Sequence, residues 1–266
     1  MARLLHEMNY SLRVNRKQIA TDASPDRDRQ FDYLFSLRDR FERRGLPIIS
    51  VDTKKRELVG NFRNAGAKWD RQPVLVHDHD FRSDAIGVAI PYGVYDVLAN
   101  RGTIFIGVSH DTPCFAAHSI AQWWRREGAN RHAGARRLLI LADTGGSNGS
   151  RCWAWKTNLQ AQLCNAFDLT VNVSHFPAGT SKWNPVEHRL FSEISKNWAG
   201  EPLDSYEKIL KLVRTTKTQT GLAVAAHLDR AQYETGTSVE PDLIRCLRLT
   251  PHKTLPNWNY TLAPNV

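Results

Sequence analysis

Short apolar runs that end on a carboxylate organise the first two-thirds of this chain. Leu138-Leu139-Ile140-Leu141-Ala142 leads into Asp143, and Pro47-Ile48-Ile49-Ser50-Val51 leads into Asp52. Runs this short suit strands buried on both faces better than helices. Three more stretches read as strands: 57–62, expected to form a hairpin with the first, then 102–109 and 169–174. Helical spacing marks Phe31, Leu34, Phe35, Leu37 and Phe41, with Ser24 able to cap, Pro25 suited to the first turn, and Gly45 and Pro47 as the stop. Further helices are predicted over 114–127, 151–167, from Asn184 and from Asp204. At Asn184 the signals are a cap, Pro185 in the first turn, Glu187 three residues on, and an apolar face of Val186, Leu190, Ile194 and Trp198. Leu4-Leu5-His6-Glu7 closes a helix and 10–17 reads as extended. Residues 63–101 read as largely loop. A polar tail from 215 is expected to wrap the core.

The order is three strands, helix, strand, helix, strand, helix. It predicts a five-stranded mixed α/β sheet flanked by helices on both faces. With 266 residues, 41% hydrophobic and 24% charged, the composition suits one large globular domain with appendages. No window holds the roughly 18 apolar residues of a membrane span, and the first residues lack the apolar core of a signal peptide. Cys114, Cys152, Cys164 and Cys246 show no CxxC pairing. They read as reduced cytosolic thiols, so a cytoplasmic location is expected. The net charge of +9 points to a polyanionic partner, DNA or RNA first.

Asp143 precedes the glycine-rich Thr144-Gly145-Gly146-Ser147-Asn148-Gly149-Ser150. An acid there either starts a turn or stands in an active-site crevice at a strand's C-terminal end. Asp52 and Glu187 favour the crevice. If the two Asp-bearing strands are neighbours, their carboxylates converge. Three hard oxygen ligands suit Mg²⁺ or Mn²⁺. Two such ions about 4 Å apart activate an attacking oxygen and stabilise a leaving oxygen in phosphodiester displacement. Other candidates are weaker. His77-Asp78-His79-Asp80 is either a metal cluster or a polar strand or loop. The Gly145–Gly149 turn lacks P-loop and dinucleotide spacing and suits contact with a DNA phosphate better than nucleotide binding. Asp111 is a fourth acid or a helix-leading cap, with the cap preferred. Lys182, Trp183, His188 and Arg189 border Glu187 and offer stacking and charge to DNA, Trp183 being equally open to core packing.

Ile-Ser-Val-Asp-Thr-Lys-Lys at 49–55, Ala-Asp-Thr-Gly-Gly-Ser-Asn-Gly-Ser-Arg at 142–151, and His-Phe-Pro-Ala-Gly-Thr-Ser-Lys-Trp-Asn-Pro-Val-Glu-His-Arg-Leu-Phe-Ser at 175–192 resemble the DDE transposases of bacterial insertion sequences. The nearest group is the Rhodopirellula-type transposase DDE domain. The resemblance runs from about Leu4 to Tyr260 and implies a ribonuclease-H-like fold. It also implies divalent-metal-dependent DNA cleavage and strand transfer, with Asp52, Asp143 and Glu187 as the catalytic and metal-binding acids of a site for two Mg²⁺ or Mn²⁺ ions. Those acids lie 91 positions (52 to 143) and 44 positions (143 to 187) apart. The expected partners are transposon-end and target DNA, with a homo-oligomer assembled on the DNA in a nucleoid-associated setting. Expected DNA contacts are Lys54, Lys55, Ser147, Asn148, Arg151, Lys182, Trp183, His188 and Arg189. The expected division is 1–45 as the remnant of an N-terminal DNA-reading region plus a linker helix, 46–215 as the catalytic domain, and 216–266 as a tail packed on the core. A non-catalytic DNA-binding remnant and a hydrolytic nuclease of the same fold remain the alternatives.

Overall fold

A computed structural model of the protein describes residues 2–8, 10 and 25–265. The expected extended stretch at 10–17 and the expected cap at Ser24 fall almost wholly outside the described residues. After a short helix α1 (Ala2–Glu7), helix α2 (Arg27–Arg43) ends at Gly45, whose left-handed φ of 62° suits glycine. Then come β1 (Ile48–Thr53), β2 (Glu57–Val59), β3 (Gly87–Asp96) and β4 (Arg101–Gly107). Helix α3 (Pro113–Trp123) continues through a wide π turn, Trp124–Gly128, into the single turn α4 (Ala129–Arg131). Strand β5 (Arg137–Asp143) feeds α5 (Trp153–Leu159), which runs on through a π turn, Gln160–Asn165, and β6 (Thr170–Phe176) leads by a further π turn, Val186–Phe191, into α6 (Ser192–Asn197). Helix α7 (Tyr206–Arg214), β7 (Ala223–Asp229), α8 (Pro241–Arg245), β8 (Leu249–Pro251) and β9 (Asn259–Leu262) complete the chain.

One sheet carries everything, in the order β7-β4-β3-β1-β5-β6-β9-β8, with β2 paired to β3. β1 runs parallel to β5, and β5 to β6, while β1–β3 and β3–β4 are antiparallel. The central five, β4-β3-β1-β5-β6, form the ribonuclease-H-like mixed sheet that was expected. The count differs: nine strands among the described residues against five. The expected hairpin between 47–52 and 57–62 is absent, because the short β2 pairs with β3. Its place beside β1 belongs to β3, inside the stretch read as loop. Pro91 and Gly93 disguise that strand, since both residues ordinarily argue against a central strand. The tail does more than wrap: it adds β7 beside β4 and β9 beside β6.

Strand alternation sorts the two faces. Ile49, Val51, Leu138, Ile140 and Ala142 pack against α3 and α5, through Phe115, Ile120, Trp123, Trp155 and Leu159. Ile48, Leu139, Leu141 and Phe176 face the other way, onto Leu34, Leu37 and Phe41 of α2. Beside them Tyr95, Ile104 and Ile106 meet Val186, Leu190, Phe191 and Ile194. By the same alternation Ser50 and Asp52 lie on the α2 face of β1, and Asp143 on the α2 face of β5. Among the described residues no helix is long and apolar enough to cross a membrane.

Candidate active site

Parallel pairing of β1 with β5 puts Val51 opposite Ala142. Asp52 and Asp143 therefore leave the C-terminal ends of adjacent strands, which meets the condition that the sequence left open. The third acid reaches them because its helix sits close on the sheet. Gly93 and Gly102 make that approach possible: a Cβ at Gly93 would collide with Phe191 and Val186, and one at Gly102 with Leu190. Gly93 pairs with Asp52 itself across the β1–β3 ladder. Glu187 rides on the first turn of this docked helix, inside the π turn.

The capping reading of this segment is not realised. The residue at the head of the turn makes no side-chain cap, and Asn184 contributes there only its backbone carbonyl, which accepts from the Glu187 N–H at 3.1 Å. The Asn184 side chain is fully buried and points the other way. Its Nδ2 donates to Asp143 Oδ1 at 3.0 Å, and its Oδ1 accepts from Ser50 Oγ at 2.5 Å. Ser50 Oγ in turn accepts from the Val186 N–H at 2.8 Å. One amide thus ties β1, β5 and the Glu187 helix together. Sequence reasoning missed this role. The available signal was a serine at an inward position of an otherwise apolar strand.

Electrostatics mark the three acids as one group. Burial, then the Asp143 charge, then Glu187 push the Asp52 carboxyl up to about 8, against which the Thr53 N–H, donating at 2.8 Å, pulls it down. Asp143 is pushed up to about 6, by burial first and by the Glu187 charge, with the Asn184 hydrogen bond opposing. Burial raises Glu187, while the hydrogen bond with Asp52 and the Lys54 ammonium lower it. The pattern is that of a carboxyl pair sharing one proton, held mostly on Asp52. Behind Asp143, His175 is fully buried. One ring nitrogen lies 2.9 Å from the Asp143 carbonyl and the other 3.3 Å from Tyr260 Oη, and burial lowers its pKa to about 4. It is a neutral prop for the strand end.

The cleft in front of the acids has a volume of about 370 Å³ and is walled by Thr53, Asp111, Thr144–Ser147 and Pro177–Gly179 as well as Asp52 and Asp143. Among the described residues no lysine or arginine lines it. Asp111 belongs to this wall and accepts from Thr53 Oγ1 at 3.1 Å. The cap of α3 is Thr112, which accepts from the Phe115 N–H at 3.2 Å, so the preferred reading of Asp111 is corrected. Among the described residues no three His, Cys, Asp or Glu side chains already form a metal cage. The donor set nevertheless fits a hard divalent cation. It is all oxygen and largely buried, its acids repel one another, and among the described residues no cation lines the cleft to neutralise them.

Other expected contacts scatter. Ser147 lines the cleft. Asn148 turns inward, accepting from Tyr92 Oη at 2.9 Å. Lys54 is committed to Glu57 at 2.7 Å and lies over Trp198. Lys55, Arg151, Lys182, Trp183 and Arg189 are exposed, as is His188 beside Glu187. The His77–Asp80 stretch is exposed and gathers no third metal-binding side chain.

A mixed sheet with acids at the ends of two adjacent parallel strands and on a helix docked across them defines the ribonuclease-H-like class. Solved structures agree on the fold. The Mos1 Strand Transfer Complex matches with a TM-score of 0.51 at 17% identity, covering 79% of this chain and 59% of that one. A pre-cleavage Mos1 transpososome matches at 0.50 and 16%, covering 79% and 60%. A mariner Mos1 paired end complex with Mg also matches at 0.50 and 16%, covering 79% and 60%. The chain spans about 60% of the length of those proteins. No curated protein matches the sequence. The family described as Rhodopirellula transposase DDE domain matches residues 1–264, and the chain belongs to it.

Proposed function

We propose that this chain is the catalytic unit of a DDE transposase, cutting DNA at an element's end and joining the freed 3′-hydroxyl to target DNA. The observation that carries the reading is the pair Asp52 and Asp143 in one cleft, with Glu187 hydrogen-bonded to Asp52 and its charge felt by Asp143, in a chain with net charge +9. These three acids would hold one or two divalent cations, Mg²⁺ or Mn²⁺. Bound there, such ions supply Lewis acidity at the phosphate and acidify a coordinated water. The protein's own part is positional. Asn184 aims Asp143, the Thr53 N–H orients Asp52, and the sheet-docked π turn carries Glu187 to both. Lys55, Arg151, Lys182, Trp183, His188 and Arg189 are exposed groups suited to holding DNA, with Ser147 at the cleft itself. Assembly as a homo-oligomer on DNA belongs to the same proposal; one of the Mos1 neighbours is named as a paired end complex.

A strand-transfer assay on short duplexes tests it. Cleaved and joined products are expected with Mg²⁺ or Mn²⁺ and none in EDTA. Products that persist in excess chelator reject the site, and cleavage without joining makes the protein a nuclease. Glu187→Gln gives a second check. Gln preserves size and can still accept from Asp52, so melting in metal-free buffer should stay level or rise slightly. Cleavage should fall by about 10³-fold, as for loss of a charged ligand. Cleavage at the wild-type rate would remove Glu187 from the site.

A further inference from the structure

Beside the acid cleft lies an aromatic group that the core buries only in part: Phe176 is buried and Phe31 packs on it, while Phe35 and Trp183 stay half exposed. Phe31 of α2 stacks on Phe35 (centroids 5.8 Å apart, planes at 19°) and meets Trp183 edge-on at 5.8 Å and 66°. Its ring lies 6.4 Å from that of Phe176. Two connections tie the group to the acids. Phe176 is paired with Asp143 across the β5–β6 ladder. Trp183 immediately precedes Asn184, whose amide holds Asp143. Trp183 and Phe35 keep 49% and 46% of their surface exposed, where a ring used only for packing would lose nearly all of it.

Cations accompany the rings. The Arg27 guanidinium stands 5.8 Å from the centre of Phe31, and Lys182 Nζ 5.7 Å from that of Trp183. Arg27 Nε is buried with no hydrogen-bond partner, a donor left waiting for an acceptor. Half-open rings flanked by cations match a nucleotide: the base offers a π face and the phosphate a negative charge. A base inside a duplex has both faces covered by its neighbours. An unpaired base next to a break or end exposes one at the least cost in lost stacking.

We infer that Trp183, backed by Phe31 and Phe35 and flanked by Arg27 and Lys182, is a stacking platform for an unpaired nucleotide of the DNA strand entering the acid cleft. The inference rests on the cleft being a DNA-cleaving site. The test is run in EDTA on the full chain, so that binding is read apart from cleavage. Affinity is compared for a blunt duplex and for the same duplex with a short single-stranded overhang carrying 2-aminopurine. The wild type should prefer the overhang about tenfold and quench the aminopurine, as one base–aromatic stack would require. Trp183→Ala should bring the ratio near one and abolish the quench, and Trp183→Phe should retain most of both. If the alanine variant fails to fold, the wild-type quench decides. Equal wild-type affinities with no quench, or a preference that survives in Trp183→Ala, overturns the platform and leaves Mg²⁺-dependent cleavage untouched. A chain that binds neither DNA overturns the platform and the transposase reading together.

Discussion

Asp52→Asn should raise the melting temperature of the metal-free chain and abolish the proposed Mg²⁺-dependent DNA cleavage. The two effects have one cause. In the fold the Asp52 carboxyl is pushed from an ordinary 3.8 to about 8, first by burial and then by the Asp143 charge. Across that window the folded chain holds a proton that the unfolded chain has released. Stability therefore falls as pH rises through the window, the reverse of the usual salt-bridged aspartate. Asparagine removes the titration. At pH 7 the gain should be roughly 2–4 kcal/mol, at the lower end because Asp52 shares its proton with Glu187. For a chain of this size that is about 5–10 °C in Tm. Below about pH 4, where aspartate is protonated in both states, the gain should vanish. Cleavage should drop by about 10³-fold or more, since a neutral amide is a poor ligand for a hard cation. Calorimetry in EDTA at pH 4 and pH 7 reads the first effect and a cleavage assay the second. A variant less stable than the wild type at pH 7 would refute the account of three repelling carboxylates.

The second large effect belongs to Asn184. Asn184→Ala removes at once the donor to Asp143, the acceptor of Ser50 and a buried side chain's volume. Leaving such groups unpaired and a small cavity behind should cost about 2–4 kcal/mol. Cleavage by the surviving folded protein should fall roughly 10–100-fold, the usual cost of losing a group that orients a metal ligand. Asn184→Asp separates charge from shape. It retains the acceptor for Ser50 but sets a further carboxylate against Asp143, whose carboxyl is already pushed up to about 6. Repulsion of like charges should raise the new group's pKa, so this variant should be the less stable at pH 8 and recover as pH falls. Urea melts at pH 5 and pH 8 distinguish the two variants. If alanine leaves both stability and cleavage unchanged, Asn184 is a bystander.

Much of the site was legible locally. An apolar run that ends on Asp reports a buried strand and its exposed C-terminal end within a few residues, which is why β1, β5, Asp52 and Asp143 could be read directly. Helix stops worked for the same reason: Gly45 ends α2 through its own backbone freedom. The apolar face of Val186, Leu190, Ile194 and Trp198 was equally local, and all four are buried in one cluster.

What the sequence did not disclose is non-local. A strand's partner is chosen by register across tens of residues, so nothing inside 57–62 says that it pairs with β3, and nothing in the tail announces β7 and β9. Pro91 and Gly93 look like loop residues until the docked helix supplies the reason for the glycine, which is room for Phe191 and Val186. Asn184 reads as a cap because short polar residues before a helix usually serve the nearest backbone. Here Ser50, 134 residues away in the chain, and Asp143 were the better partners, and only the folded sheet brings them within reach. The sequence by itself determined which acids end strands and which helix carries the third. The tertiary structure decided that β1 and β5 are neighbours, that Asp111 faces the cleft and not its helix, and that one buried amide ties the two strands to the third acid's helix. Hydrogen-bond geometry and close approach are set by pairwise distances in space, and local sequence pattern does not encode them.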